Sequence, residues 1–164
     1  MRYFVGNTTL QLSGKAVGRD NSTYSFTIDA AGKGLWRLKD KDGDFKVFHG
    51  VMLAHGVVTA ANGTVVKEGD FRVKVLARNT PDGWKWQVVS TGERPNGMPR
   101  LVVRGEAEKV SPGVFDLTGK GHAVLRLDGK AFSMKIPEVS GTFTRQLPPA
   151  TAPTASSDGS SAAA

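Results

Sequence analysis

The 164 residues include no cysteine, so disulfides and thiolate metal ligands are excluded. Long apolar runs are missing too. Nothing approaches the roughly 20 apolar residues of a membrane-spanning helix. The opening MRYFVGNTTLQL lacks the apolar stretch of about 7 to 15 residues that an export signal needs. The expectation is a soluble, cytoplasmic protein with no membrane partner. Helical patterning is absent as well, because apolar residues nowhere recur at i, i+3, i+4 and i+7 over a useful length. VMLAHGVV is the one ambiguous apolar run, and Gly50 and Gly56 hold it too short for a helix.

Signatures of catalysis are equally scarce. No Gly-x-Ser-x-Gly occurs, and the three histidines, His49, His55 and His122, show no ligand spacing such as i, i+4 on a helix. They are expected at structural or surface positions. Asp40, Asp42 and Asp44 alternate as in a calcium loop, but the glycine falls between the second and third carboxylates, and Val51 stands where a bidentate Glu is required. A plain turn is favoured. Gly32-Lys33-Gly34 and Gly119-Lys120-Gly121 lack the spacing of a phosphate loop and read as strand breaks or bulges. The chain is therefore expected to be non-catalytic and to need no cofactor or metal.

Acids are also in short supply. Lysine and arginine number 22 against 15 acids, for a net charge of +7. Asp158 is the only charge beyond residue 147. A basic balance of this kind favours nucleic acid or another polyanion as partner, against the plainer reading that it only confers solubility.

What the chain does contain is short alternating segments separated by turn residues. The 20 glycines and 8 prolines punctuate it throughout. Its organising stretch is Phe71 to Val89, where FRVKVLAR alternates, Pro81-Asp82-Gly83 turns, and WKWQVV alternates back. One phase carries Phe71, Val73, Val75, Ala77, Trp84, Trp86 and Val88; the other carries Arg72, Lys74, Arg78, Lys85 and Gln87. Asn62-Gly63 reads as a two-residue hairpin turn. The fold class is all-β, an antiparallel barrel or sandwich of many short hairpin-connected strands, roughly ten or more.

The domain is expected to span 1–147. Residues 148–164, PPATAPTASSDGSSAAA, form a low-complexity tail expected to be disordered. Residues 92–99, GERPNGMP, read as a long loop. The segments LSGKAVGRDNSTYSFTIDAAGKGLWRLKDKDGDFKV and VRGEAEKVSPGVFDLTGKGHAVLRLDGKAFSM echo each other. An internal duplication and shared turn chemistry explain that echo equally well.

The candidate site is the basic phase of the hairpin, Arg72, Lys74, Arg78 and Lys85, joined by Arg37 and by Trp36, Trp84 and Trp86. Cations bind phosphates while aromatic rings stack bases, so the expected partner is single-stranded nucleic acid, DNA in the first place, with little sequence preference. One tension is visible at once. Alternation puts Trp84 and Trp86 in the core phase with Val88. In layout, a basic β-domain followed by a Pro/Ala/Ser tail, the chain resembles bacterial and phage single-stranded-DNA-binding proteins. The resemblance covers no motif, and Ser-Ser-Ala-Ala-Ala stands where those proteins carry an acidic, hydrophobic tip. The strand count also exceeds a five-stranded OB-like barrel. The alternatives are a structural or assembly protein, such as a virion or surface component acting as a homo-oligomer, and a barrel holding a small apolar ligand.

Overall fold

The structure, a computed structural model, describes residues 2–38, 45–91 and 100–147. The strands are β1 (Arg2–Gly18), β2 (Thr23–Leu38), β3 (Phe45–Ala60), β4 (Val65–Thr80), β5 (Gly83–Thr91), β6 (Arg100–Ser111), β7 (Val114–Leu127) and β8 (Lys130–Arg145). Each pairs antiparallel with the next, and β8 returns to β1, closing an up-and-down barrel. The all-β expectation holds, and it is a barrel. Closure leaves no sheet edge along the paired wall.

The strands are fewer and longer than their glycines imply. Gly32-Lys33-Gly34 lies within β2 and Gly119-Lys120-Gly121 within β7. These glycines are where one wall must approach another group closely. A Cβ on Gly34 would come within 2.1 Å of the Phe48 ring, and one on Gly105 within 1.9 Å of the Thr118 carbonyl oxygen. Glycine here makes room for a large ring or a neighbouring backbone inside a continuous strand. Pro137 is tolerated within β8 by the same kind of local device. The β8 register slips there against both β1 and β7, so the missing N–H falls at a bulge.

Turn chemistry follows the residues. Asp128 and Gly129 take φ of 51° and 77°, the two-residue hairpin geometry. Asn62-Gly63 belongs instead to a longer loop, in which the Ala60 N–H donates to the Thr64 carbonyl and only Gly63 is left-handed, at φ 90°. Calcium-loop candidates Asp40, Asp42 and Asp44, the 92–99 loop and the 148–164 tail lie outside the described residues.

The sequence echo does not describe a repeat of the barrel. Its halves fall on β1–β2–β3 and β6–β7–β8, an odd number of strands apart, so β1 and β6 run in opposite senses along the wall. Phe26 and Phe115 nevertheless both point inward. Two such meanders have opposite hand, and no rotation superimposes them with the same face inside. The likeness in sequence is therefore not one of superimposable units.

Inside, side chains fill the barrel. Trp36, Phe45, Phe48, Met52 and Leu101 are among the largest that are fully buried. The internal gaps near Phe115 and near Ile28 measure about 20 and 30 Å3, room for roughly one water each. An apolar ligand has no chamber there among the described residues. Among the described residues the interior also holds one cation. Arg145, 6% exposed, sets its guanidinium 5.2 Å from the Trp36 ring centroid and 5.1 Å from that of Phe45.

Candidate functional site

β4 and β5 pair from Arg72↔Thr91 to Thr80↔Gly83 with no slip in register. Uninterrupted pairing preserves the phase, because side chains alternate strictly along a strand. Arg72, Lys74 and Arg78 therefore stand exposed on the outer wall. Lys85, half-buried, also faces out, and its Nζ donates to Glu106 Oε2 at 2.9 Å. Arg37 of β2 joins this wall, opposite Val47 in register, and Val47 is in turn opposite Arg78.

The tryptophans do not stand beside the cations. Trp36 is 0% and Trp86 5% exposed. Trp86 lies under the paired Gly105 and Gly119, and its Nε1 donates to the carbonyls of Glu106 (2.9 Å) and Thr118 (3.1 Å). Trp84 is half-buried at the rim, its ring 4.6 Å from Phe45 and 5.1 Å from Phe115. Stacking of bases on Trp36 or Trp86 is thus corrected. The unbroken phase that brings the cations out takes these rings in.

The cations flank grooves. On one side of the β4–β5 hairpin a depression of about 480 Å3 is lined by Arg37, Lys46, Val47 and Arg78 with Asn79, Thr80 and Pro81. On the other side a depression of about 470 Å3 includes Leu76, Arg78, Lys85, Gln87, Arg104 and Glu106 in its lining. Arg78 lines both. Across the register from β2 to β4, between Arg37 and Arg72, every charged outward side chain among the described residues is a cation: Lys33, Arg37, Lys46, Arg72, Lys74 and Arg78. Acids begin only beyond that zone, at Asp29, Glu68 and Asp70. Beyond β5 the cations resume with Arg100, Arg104, Lys120 and Lys135.

Sequence reasoning passed over Lys46, Arg104 and, above all, the outward side of β3. Val51 and Leu53 are 51% and 60% exposed, directly across from Lys74 and Arg72. A signal was present. An antiparallel strand with one wet face alternates apolar and polar residues, and FKVFHGVMLAHGVV does not.

His49 and His122 are exposed on the wall. His55 is held across the β3–β4 ladder, Nδ1 2.7 Å from Asp70 Oδ1 and Nε2 2.9 Å from Glu68 Oε2. Those two hydrogen bonds, Asp70's the larger, raise its pKa above the ordinary imidazole value. Among the described residues no group of histidines and acids is arranged to hold a metal ion. The chain matches no family model, curated protein or solved structure.

Proposed function

We propose that this protein is a non-catalytic, cytoplasmic nucleic-acid-binding protein that holds single-stranded DNA, with little sequence preference, on the outer wall of its barrel. One observation carries the reading. Among the described residues, a zone on β2–β4 whose charged side chains are all cations borders a hairpin whose two flanking grooves share Arg78. Alternate residues of a strand lie roughly 6.7 Å apart, so Arg72 and Lys74 stand one step apart along β4 and Arg78 two steps, about 13 Å, beyond Lys74 with Leu76 between them. A line of cations of this kind suits the phosphates of an extended strand. Arg37 and Arg104 widen it on either side. Lys85 contributes less, since Glu106 already neutralises it.

The test is titration of the full chain with a fluorescent oligo-dT at several salt concentrations. Binding is expected to weaken steeply with salt, with a slope of about −0.7 per phosphate neutralised on a single strand. Lys74→Glu is expected to lower affinity about tenfold or more and to flatten that slope by about one contact. Absence of binding at low salt would overturn the reading. Intrinsic tryptophan fluorescence is expected to change little, because Trp36 and Trp86 are inside.

One observation favours a second reading, assembly through self-association. Val51 and Leu53 on β3 are each more than half exposed, as is Val5 on β1, whose register row crosses Leu35 of β2 to His49 of β3. Apolar association persists or strengthens at high salt, where phosphate binding fails. Sedimentation across the same salt series separates the two.

A further inference from the structure

Charge alone selects the wrong ligand for the site just described. Duplex DNA carries one negative charge per roughly 1.7 Å of axis, a denser line than a single strand presents, so a purely cationic wall prefers duplex. Preference for a single strand needs surface beside the cations on which unpaired bases can rest. Trp36 and Trp86, buried, do not supply it, and Trp84, half-buried at the rim, is packed on Phe45 and Phe115. β3 does. Val51 and Leu53 are the register partners of Lys74 and Arg72, so each exposed aliphatic side chain has a cation as its immediate cross-strand neighbour.

Resting on the proposed nucleic-acid reading, we infer that the bound strand lies along the β3–β4 pair, its phosphates on Arg72, Lys74 and Arg78 and its bases over Val51 and Leu53. β3 and β4 stand about 4.8 Å apart, close enough for one nucleotide to touch both. Aliphatic side chains offer a base no ring to stack on and no hydrogen bond. They do reward a methyl group, which thymine has and cytosine and uracil lack. The site therefore holds single strands generally and favours thymine by a few-fold, the preference coming from β3 while the affinity comes mostly from β4.

The experiment compares oligo-dT, oligo-dU of the same deoxy backbone and a hairpin duplex, bound by the full chain at one moderate salt. Wild type is expected to bind oligo-dT several-fold more tightly than oligo-dU, and either more tightly than duplex. The double variant Val51→Ser/Leu53→Ser is expected to lose the dT-over-dU ratio and about tenfold in dT affinity while keeping the salt slope. Lys74→Glu is expected to do the reverse, lowering the slope and keeping the ratio. Both positions are exposed, and Val51→Thr, which keeps the branched shape, serves as a second variant should the double change disturb folding.

An unchanged ratio and affinity in Val51→Ser/Leu53→Ser would overturn the inference and leave the proposed function standing. Tighter binding of duplex than of oligo-dT would overturn the inference and, with it, the single-strand part of the proposed function. Failure of every oligonucleotide to bind would defeat the proposed function itself. A third arm uses vesicles containing anionic lipid. If the double variant loses vesicle binding while its oligonucleotide affinities are unchanged, the aliphatic strip serves a membrane surface and the inference is overturned.

Discussion

β3 and β4 are neighbours of equal length, 16 residues each, paired along almost their whole extent. Inward they are alike. Phe48, Met52, Ala54 and Val58 of one strand and Phe71, Val73 and Val75 of the other are buried in the same core. Outward they diverge: Val47, Val51 and Leu53 face Arg78, Lys74 and Arg72. The inner phase answers to burial, which constrains size and polarity tightly. The outer phase is wet on both strands, so folding would accept charge on β3 as readily as on β4. Aliphatic groups left in water forgo about 25 cal/mol for every Å2 not buried. That β3 carries them where β4 carries cations points to a use outside the fold.

The two faces of β3 should therefore respond very differently to truncation. Phe48 is 0% exposed, its ring 5.4 Å from Trp36 and 5.1 Å from Phe143. Phe48→Ala is expected to cost about 3–5 kcal/mol in denaturant unfolding, from lost transfer energy and the cavity left behind. Leu53→Ser, on the other side of the same strand, is expected to stay within about 0.5 kcal/mol. A cost for Leu53→Ser approaching that of Phe48→Ala would mean that the outer face is itself covered, and the contrast would collapse.

A smaller effect sharpens the inner side of the comparison. Gly6, Gly34 and Gly50 lie in one cross-strand row on β1, β2 and β3, and the Phe48 ring occupies the space a Gly34 side chain would need. Gly34→Ala is expected to cost about 1–3 kcal/mol by displacing that ring. In a Phe48→Leu background the same change should cost less, because the clash is with the removed ring. Additive losses in the double variant would show that the glycine serves some other purpose.

How much of this was legible beforehand depends on the element. The β4–β5 hairpin was readable almost residue by residue, because clean alternation and a Pro-Asp-Gly turn determine both pairing and phase. The placement of Trp84 and Trp86 was contained in the same alternation. Strand length was not. Gly-Lys-Gly is a turn sequence in isolation, and only the closed barrel reveals that Gly34 and Gly121 relieve crowding against Phe48 and Val102. The cations of β4 were legible, whereas Lys46 and Arg104 join them only through register and barrel closure. Val51 and Leu53 were visible as apolar letters, but whether they face the core depends on the phase of Met52, which nothing local determines.

The weakest effect concerns a place where the outer faces of β3 and β4 are joined by side-chain hydrogen bonds. His55 of β3 bonds Asp70 and Glu68 of β4, and Asp29 of β2 lies opposite it in register. The bonds to Asp70 and Glu68 raise the folded-state pKa above the ordinary value, so the native protein holds this proton more tightly than the unfolded chain. The stabilisation is complete below the unfolded value of about 6.5 and is lost as pH rises through the higher folded one. The clasp is exposed on the wall, so water and salt screen it and the shift in melting midpoint will be small. The check is the difference in midpoint between wild type and His55→Asn across that window. Wild type should lose its advantage on the alkaline side, and added salt should shrink the advantage on the acid side. Parallel curves for the two proteins would mean that the ladder alone joins β3 to β4 there, and that the contrast between their outer faces extends along the full length of both strands.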